Sequence, residues 1–176
     1  LAQLPEVIQA EPVLVGRAAY IPSDPLWAQQ TADYSSIRLE EAWDLRRADS
    51  SVRVAIIDSG VEAYHPDLLG ALDLVSSRNI TEGTTSIHDD LGHGTRTAGL
   101  VGAVGNNAEG IAGVGFGATL ISYDVFRPDG IVTSADVIAA LDQAIGAEIH
   151  IATLSFTFNG YSSLMEEACN AATDAG

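Results

Sequence analysis

An acidic and a basic side chain stand 35 residues apart in two short segments that also contain glycine. Asp58 begins the tripeptide Asp-Ser-Gly directly after the apolar run 52–57, and His93 begins the tripeptide His-Gly-Thr. A carboxylate beside an imidazole fixes the tautomer of the ring and stabilises the imidazolium that forms when the ring takes up a proton. The two residues could therefore perform acid–base chemistry together, although either residue alone is more often structural.

The segments that must position these side chains alternate between strand and helix. Apolar runs at 52–57, 118–125 and 149–156 are typical of strands buried in a parallel sheet. Helices are predicted at 39–43, from His93 to about Val104, from Ser134, and from a capping box of Ser163 and Glu166 to Gly176. This alternation predicts an α/β fold with a doubly wound, mainly parallel sheet and helices on both faces. Asp58 then lies at the carboxyl end of its strand, where such sheets place their sites.

Composition and charge exclude several classes of protein. The chain has 176 residues, of which 47% are hydrophobic and 18% charged, as is typical of a globular domain. Eight arginines oppose 24 acidic residues, and a net charge of −16 disfavours both nucleic acid and anionic membrane surfaces as partners. The longest segment without an ionised side chain, 149–165, is too short and too polar to span a membrane. With Cys169 as its single cysteine the chain cannot form an internal disulfide, and its acidity suits a secreted protein.

Taken together and in this order, the two segments resemble the subtilisin-like serine peptidase (subtilase) family. Asp58 matches the first residue of the family's aspartate motif, and His93-Gly-Thr-x-x-Ala98-Gly99 matches its histidine motif. The resemblance implies that Asp58 orients His93 and that His93 acts as general base and then as general acid. It places the nucleophilic serine and the asparagine of the oxyanion hole beyond Gly176, so the subtilisin-like fold is expected to be incomplete here.

The resemblance also implies a polypeptide substrate that is added as a strand between two extended segments. These segments are residues Gly130, Ile131 and Val132, and residues Ser155, Phe156 and Thr157. The family commonly has small residues after the serine, whereas this chain has two phenylalanines, which would narrow the subsites or belong to the core. Arg96 replaces the family's usual histidine and would either pair with a carboxylate or be a neutral surface substitution.

A structural calcium site is a further implication of the resemblance. The matching residues would supply backbone carbonyls, an asparagine side chain and two carboxylates, which are oxygen ligands suited to calcium. They are Val104, Asn107, Glu109 and Ile111 in one loop, together with Asp24 and Asp67. The alternative is that the two consecutive asparagines simply form a turn.

Two segments of different character are expected. Residues 1–19 resemble the end of an inhibitory propeptide, which would make the chain a zymogen, and residues 20–176 resemble the first part of the peptidase domain. The alternative for 1–19 is a plain N-terminal extension.

The favoured interpretation is a serine endopeptidase whose serine lies on a complementary C-terminal segment or chain, so that residues 1–176 alone are inactive. The rival is an inactive relative that binds peptides in the same cleft. A nucleotide-binding fold fits less well, because the glycine-rich segment 113–117 precedes a strand instead of opening a helix.

Overall fold

The computed structural model describes residues 20–176, and the propeptide-like segment 1–19 lies outside the described residues. In chain order the elements are α1 (Trp27–Ser36), α2 (Leu39–Leu45), β1 (Arg53–Asp58), β2 (Arg78–Asn79), α3 (His93–Gly102), β3 (Thr119–Asp124), α4 (Ser134–Gly146), β4 (Ile151–Leu154) and α5 (Ser163–Asp174). None of the helices in this part of the chain has the length and apolar character needed to cross a bilayer.

The strands form one parallel sheet in the order β2-β3-β1-β4. Helix α3 covers one face of the sheet, whereas α4 and α5 cover the other. The prediction of an α/β fold with a doubly wound parallel sheet is therefore confirmed. Because β1 lies between β3 and β4, its last residue, Asp58, is placed at the centre of the carboxyl edge.

The apolar run of β1 is continuous because both of its faces are buried. Val54 and Ile56 pack with the side chains below α3, and Ala55 and Ile57 pack with those below α4 and α5. Successive side chains of a strand point to opposite faces, so Asp58 points to the same face as Ile56. That face is the one that α3 covers, and α3 begins at His93.

Several element boundaries differ from the sequence prediction. The N-cap of α4 is Thr133 and that of α5 is Ser162, each one residue earlier than expected, because their hydroxyls accept from the backbone N–H of Asp136 and Met165. Strand β4 is shorter than the predicted run, 149–156. Helix α1 and the two-residue strand β2 were not predicted.

Candidate active site

The structure brings the two chemically suggestive side chains into direct contact. His93 Nδ1 lies 2.6 Å from Asp58 Oδ1, which is a short, charge-assisted hydrogen-bond distance. The Asp58 side chain is 1% exposed and that of His93 is 44% exposed. The carboxylate is thus shielded from water, while nearly half of the His93 side chain is open to solvent.

Asp58 is held by the backbone that follows its strand. Its Oδ1 also accepts a hydrogen bond of 2.8 Å from the N–H of Ser59, and its Oδ2 is buried without a protein partner among the described residues. The chain then turns at Gly60, whose φ of +91° favours glycine. A Cβ at this position would also lie 2.7 Å from the carbonyl oxygens of Ile87 and His88.

Helix α3 approaches this turn closely enough to deliver the imidazole. A Cβ on Gly94 would overlap the carbonyl oxygen of Gly60 and lie 3.2 Å from the Cβ of Asp58. The Ser59 hydroxyl accepts a hydrogen bond of 3.0 Å from the Gly94 N–H. The glycine after His93 therefore lets the first turn of α3 rest directly on the end of β1.

Asp89, a residue to which the sequence prediction gave no role, connects the two sides of the site. Its Oδ1 accepts from the Ser59 hydroxyl at 2.8 Å and from the Gly92 N–H at 2.8 Å. Its Oδ2 accepts from the Thr95 N–H at 2.8 Å and the Thr95 hydroxyl at 2.6 Å. Burial alone would raise the pKa of Asp89, but these hydrogen bonds outweigh it and hold the pKa below its usual value.

A second buried carboxylate lies next to Asp58 on the neighbouring strand. Asp124 ends β3 and is the register partner of Asp58. Its Oδ2 accepts a hydrogen bond of 2.8 Å from Asn79 Nδ2, and its Oδ1 accepts one of 3.1 Å from the Phe126 N–H. Burial is the main reason that the pKa of Asp124 rises to about 6.

The two segments expected to bind substrate are connected through aromatic side chains. Gly130, Ile131 and Val132 form part of a turn in which the N–H of Arg127 donates to the Ile131 carbonyl at 2.9 Å. Residues 155–157 follow β4 and belong to no helix or strand. Phe156 packs edge-to-face on Phe126 at 5.7 Å between ring centroids, and this contact bridges the two segments.

Phe158 continues this aromatic cluster outward. Its ring packs on Phe156 with a centroid separation of 5.8 Å and remains partly exposed. Ser155 and Thr157 are exposed on either side of Phe156. Phe156 therefore packs against the core, as one of the two alternatives expects, whereas Phe158 is exposed.

The residues expected to bind calcium also converge, although they come from three separate segments. Asp67 Oδ1 accepts a hydrogen bond of 2.9 Å from Asn107 Nδ2, and Asp67 Oδ2 accepts one of 2.8 Å from the Ile111 N–H. Asp24 accepts from the N–H groups of Asn106 and Asn107 at 2.8 and 3.3 Å. The loop 104–111 is thus wrapped around two buried carboxylates.

The chemistry of this cluster fits a hard cation. Neither Asp24 nor Asp67 forms a salt bridge within residues 20–176, and no protein group there donates to the carbonyls of Val104, Glu109 or Ile111. The described chain has no cluster of three or more His, Cys, Asp or Glu side chains able to hold a metal. A cation here would therefore depend on amide and carbonyl oxygens as well as the two carboxylates.

Two other features contribute less to the site. Arg96 is exposed and forms no ion pair with any described carboxylate, so the pairing alternative is not seen. A cavity of about 870 Å³ lies away from His93, at the amino end of β4 and against α4 and α5. Its position makes it a feature of the sheet edge, unrelated to the Asp58–His93 pair.

Comparisons with known proteins agree with this geometry. The subtilase family model matches residues 49–176. The chain is 30% identical to thermitase of Thermoactinomyces vulgaris over 157 residues, which cover 89% of this chain and 55% of thermitase. It is 35% identical over 144 residues to the thermostable alkaline protease of Halalkalibacterium halodurans, covering 81% of this chain and 38% of that protein.

Solved structures show the same relationship. A protease from Pseudoalteromonas arctica matches with a TM-score of 0.74 and 25% identity, covering 89% of this chain and 57% of that one. The chain spans about half the length of thermitase and less of the alkaline protease. Because the family match covers most of the sequence, the chain belongs to the subtilase family.

Proposed function

We propose that this chain supplies the aspartate and histidine of a serine endopeptidase that hydrolyses peptide bonds with an Asp–His–Ser triad. The observation that supports this best is the 2.6 Å contact between the buried carboxylate of Asp58 and the partly exposed ring of His93. The contact lies at the carboxyl edge of a parallel sheet, where α/β enzymes place their sites. Membership of the subtilase family adds independent support.

In this proposal His93 Nε2 takes the proton of the serine hydroxyl as the serine oxygen attacks the peptide carbonyl. His93 then returns this proton to the leaving amine. Asp58 holds the opposite ring nitrogen, Nδ1, so that Nε2 is the basic atom before attack, and it stabilises the imidazolium afterwards. The serine and an oxyanion-binding asparagine would come from the part of the fold that follows α5.

The substrate would bind in extended conformation between residues 130–132 and 155–157. Gly130 and Ile131 are exposed, and the backbone of 155–157 makes no strand pairing in the described structure. The Phe126–Phe156 contact forms an apolar floor between the two segments. Such a floor favours substrates with apolar side chains facing the cleft.

The exposed side of β4 supports the position of the complementary segment. Ile151 is 53% exposed, and the strand pairs only with β1 among the described strands. Apolar strand edges left open to water are liable to associate with other chains. We propose that the peptidase domain continues along this edge after residue 176. We also propose that residues 1–19 are the end of an inhibitory propeptide and that the protein is secreted.

The test is peptide hydrolysis by the full-length protein and its variants. His93→Ala should reduce kcat/KM by about a thousandfold or more, because a triad without its base retains only binding and oxyanion stabilisation. The control is His88→Ala, which removes an exposed histidine with no hydrogen bond to Asp58. A wild-type protein that binds peptides but neither cleaves them nor reacts with a fluorophosphonate would instead favour an inactive, peptide-binding relative.

We further propose that Asp24, Asp67 and Asn107, with the carbonyls of 104, 109 and 111, hold a structural calcium ion. The cation would neutralise two buried carboxylates and connect the N-terminal segment to the loop. Chelation should lower the melting temperature by about 5 °C or more, because a ligand at 100 times its Kd stabilises the fold by about 2.7 kcal/mol. The Asp67→Asn variant should lose this response, whereas Asp142→Asn, on exposed α4 surface, should keep it. A melting temperature unaffected by chelator in the wild type would contradict the assignment.

A further inference from the structure

Asp124 is a buried carboxylate that the proposed mechanism does not use. It ends β3 as Asp58 ends β1, and the two residues are directly paired in the parallel register. Neighbouring strands lie about 4.8 Å apart, so the backbones of the two aspartates are separated by one strand spacing. Asp124 is 5% exposed, and water can screen its charge only weakly.

The side chains of Asp124 and Asp58 point to the same face of the sheet. Residues two apart on a strand share a face. Ile56 lies two residues before Asp58, and Leu120 lies four residues before Asp124. Ile56 and Leu120 pack in the same core cluster below α3. Both carboxylates therefore lie on the side from which His93 approaches.

Among residues 20–176, the groups that surround Asp124 give it no cationic partner. On β2, Asn79 donates to its carboxylate, as does the Phe126 N–H after β3. The other ionisable groups lie around a cavity of about 200 Å³ beside it or in the adjoining loop, and they are Glu82, His88, Asp89, Asp90 and Arg127. Arg127 pairs with Asp136, and His88 lies between Glu62 and Asp90.

The state of Asp124 changes in the pH range where histidines titrate. Burial, first, and then the charges of Asp89, Glu82 and Asp90 raise the pKa of Asp124 to about 6, although the Phe126 N–H opposes the rise. Asp124 is therefore ionised at neutral pH and becomes protonated in mildly acidic solution.

We propose that ionised Asp124 acts as a second carboxylate behind the Asp58–His93 pair and raises the basicity of His93. It contacts neither the imidazole nor the substrate, and acts only through its charge at the end of the adjacent strand. This inference rests on the proposed function, since it concerns the same histidine. Its expected consequence is that the general base weakens when Asp124 takes up a proton.

The Asp124→Asn variant tests the effect of the charge at nearly constant shape. The pKa of His93 should fall by about 0.5–1 unit, because a single buried charge one strand away, at an effective dielectric constant near 20 and partly screened by salt, shifts a titration by that order. An NMR titration of the His93 ring in the full-length protein measures the fall. The acid limb of kcat/KM should move to lower pH by the same amount.

The matched control is Asp142→Asn, which removes the same charge from exposed surface on the opposite side of the sheet. It should leave the pKa of His93 unchanged. Should Asp124→Asn fail to fold, the wild type still decides: the His93 resonances should show a second inflection where the Asp124 carboxyl carbon titrates. A His93 pKa that stays within about 0.2 units in the variant, or a wild-type titration without that inflection, overturns the inference. The titration needs no turnover, so the two tests are independent. The expected shift of the His93 pKa can be absent while His93→Ala still abolishes hydrolysis, and it can be present in a protein that does not hydrolyse peptides.

Discussion

Asp89 gathers five hydrogen bonds on one carboxylate, from two side-chain hydroxyls and three backbone N–H groups. Two of the donors belong to Thr95 in the first turn of α3, and one is the hydroxyl of Ser59, next to Asp58. The carboxylate therefore joins the strand that carries Asp58 to the helix that carries His93. At the residue scale, the 2.6 Å contact between the pair depends on a third residue.

The first prediction concerns this connection. In Asp89→Asn an NH2 group replaces one acceptor oxygen and must face a donor. This should lower the stability by about 2–3 kcal/mol, which is the contribution of a hydrogen bond to a charged group. Because His93 would lose its exact placement, kcat should fall about tenfold or more with little change in KM. The neighbouring Asp90→Asn serves as control, since the Asp90 side chain is 77% exposed. Equal effects of the two substitutions would contradict the role given to Asp89.

A second residue-scale prediction concerns the pH dependence of stability. The pKa of Asp124 is about 6 when folded and 3.8 as its ordinary value. Because the pKa is higher in the folded state, protonation of Asp124 favours folding. Its contribution to the free energy of unfolding is complete below about pH 4 and is lost as the pH rises through 6. That difference corresponds to about 3 kcal/mol. The free energy of unfolding of Asp124→Asn, relative to that of wild type, should therefore increase by up to about 3 kcal/mol from pH 4 to pH 8.

Urea unfolding of both proteins at the two pH values measures this gain. Titrating groups that Asp124 does not influence are common to both proteins, so their contributions cancel in the difference. A stability difference that is the same at pH 4 and pH 8 would show that Asp124 titrates normally. Together with the shift expected at His93, a positive result would mean that the protein keeps a destabilising charge for the benefit of its general base.

At the scale of elements, the features that depend on local sequence could be predicted, whereas those that depend on long-range contacts could not. The end of β1 at Asp58 and the beginning of α3 at His93 follow from an apolar run and a glycine-containing motif in neighbouring sequence. Helix α1 escaped prediction because its fixing contacts are distant: Gln30 and Tyr34 donate to the carbonyl of Ala112, 82 and 78 residues away. The pairing of Asp58 with Asp124 likewise needed the strand order, which sequence spacing does not contain.

The third prediction tests the approach of α3 to β1. In Gly94→Ala the new Cβ would overlap the Gly60 carbonyl, and moving α3 away should cost about 3 kcal/mol and lengthen the Asp58–His93 distance. Gly99→Ala is the matched control in the same helix, where the Cβ would lie 3.6 Å from Ile111 Cδ1. That substitution should be neutral or stabilise by about 0.5–1 kcal/mol through helix propensity. Thermal unfolding and peptidase assays of the two variants would distinguish the contact from a general intolerance of alanine in α3.

At the scale of the whole molecule, the sheet is unevenly covered. Strand β1 is buried on both faces and paired on both sides, whereas β4 pairs on one side and exposes Ile151 and Leu154. The cavity of about 870 Å³ beside β4 and α5 opens on this same edge. The Asp58–His93 pair belongs to the well-covered half, and the groups that would complete the triad belong, in our proposal, beyond the open edge.

The last prediction follows from this division. Residues 1–176 expressed alone should show no detectable peptide hydrolysis and no labelling by a fluorophosphonate, since Asp58 and His93 can activate a serine but cannot replace it. Adding the C-terminal segment that we propose should cover the β4 edge and restore both hydrolysis and labelling. His93→Ala in the first segment should abolish the restored hydrolysis, which separates true complementation from a contaminating peptidase. Robust cleavage by residues 1–176 alone that still depends on His93 would mean that a serine within them is the nucleophile.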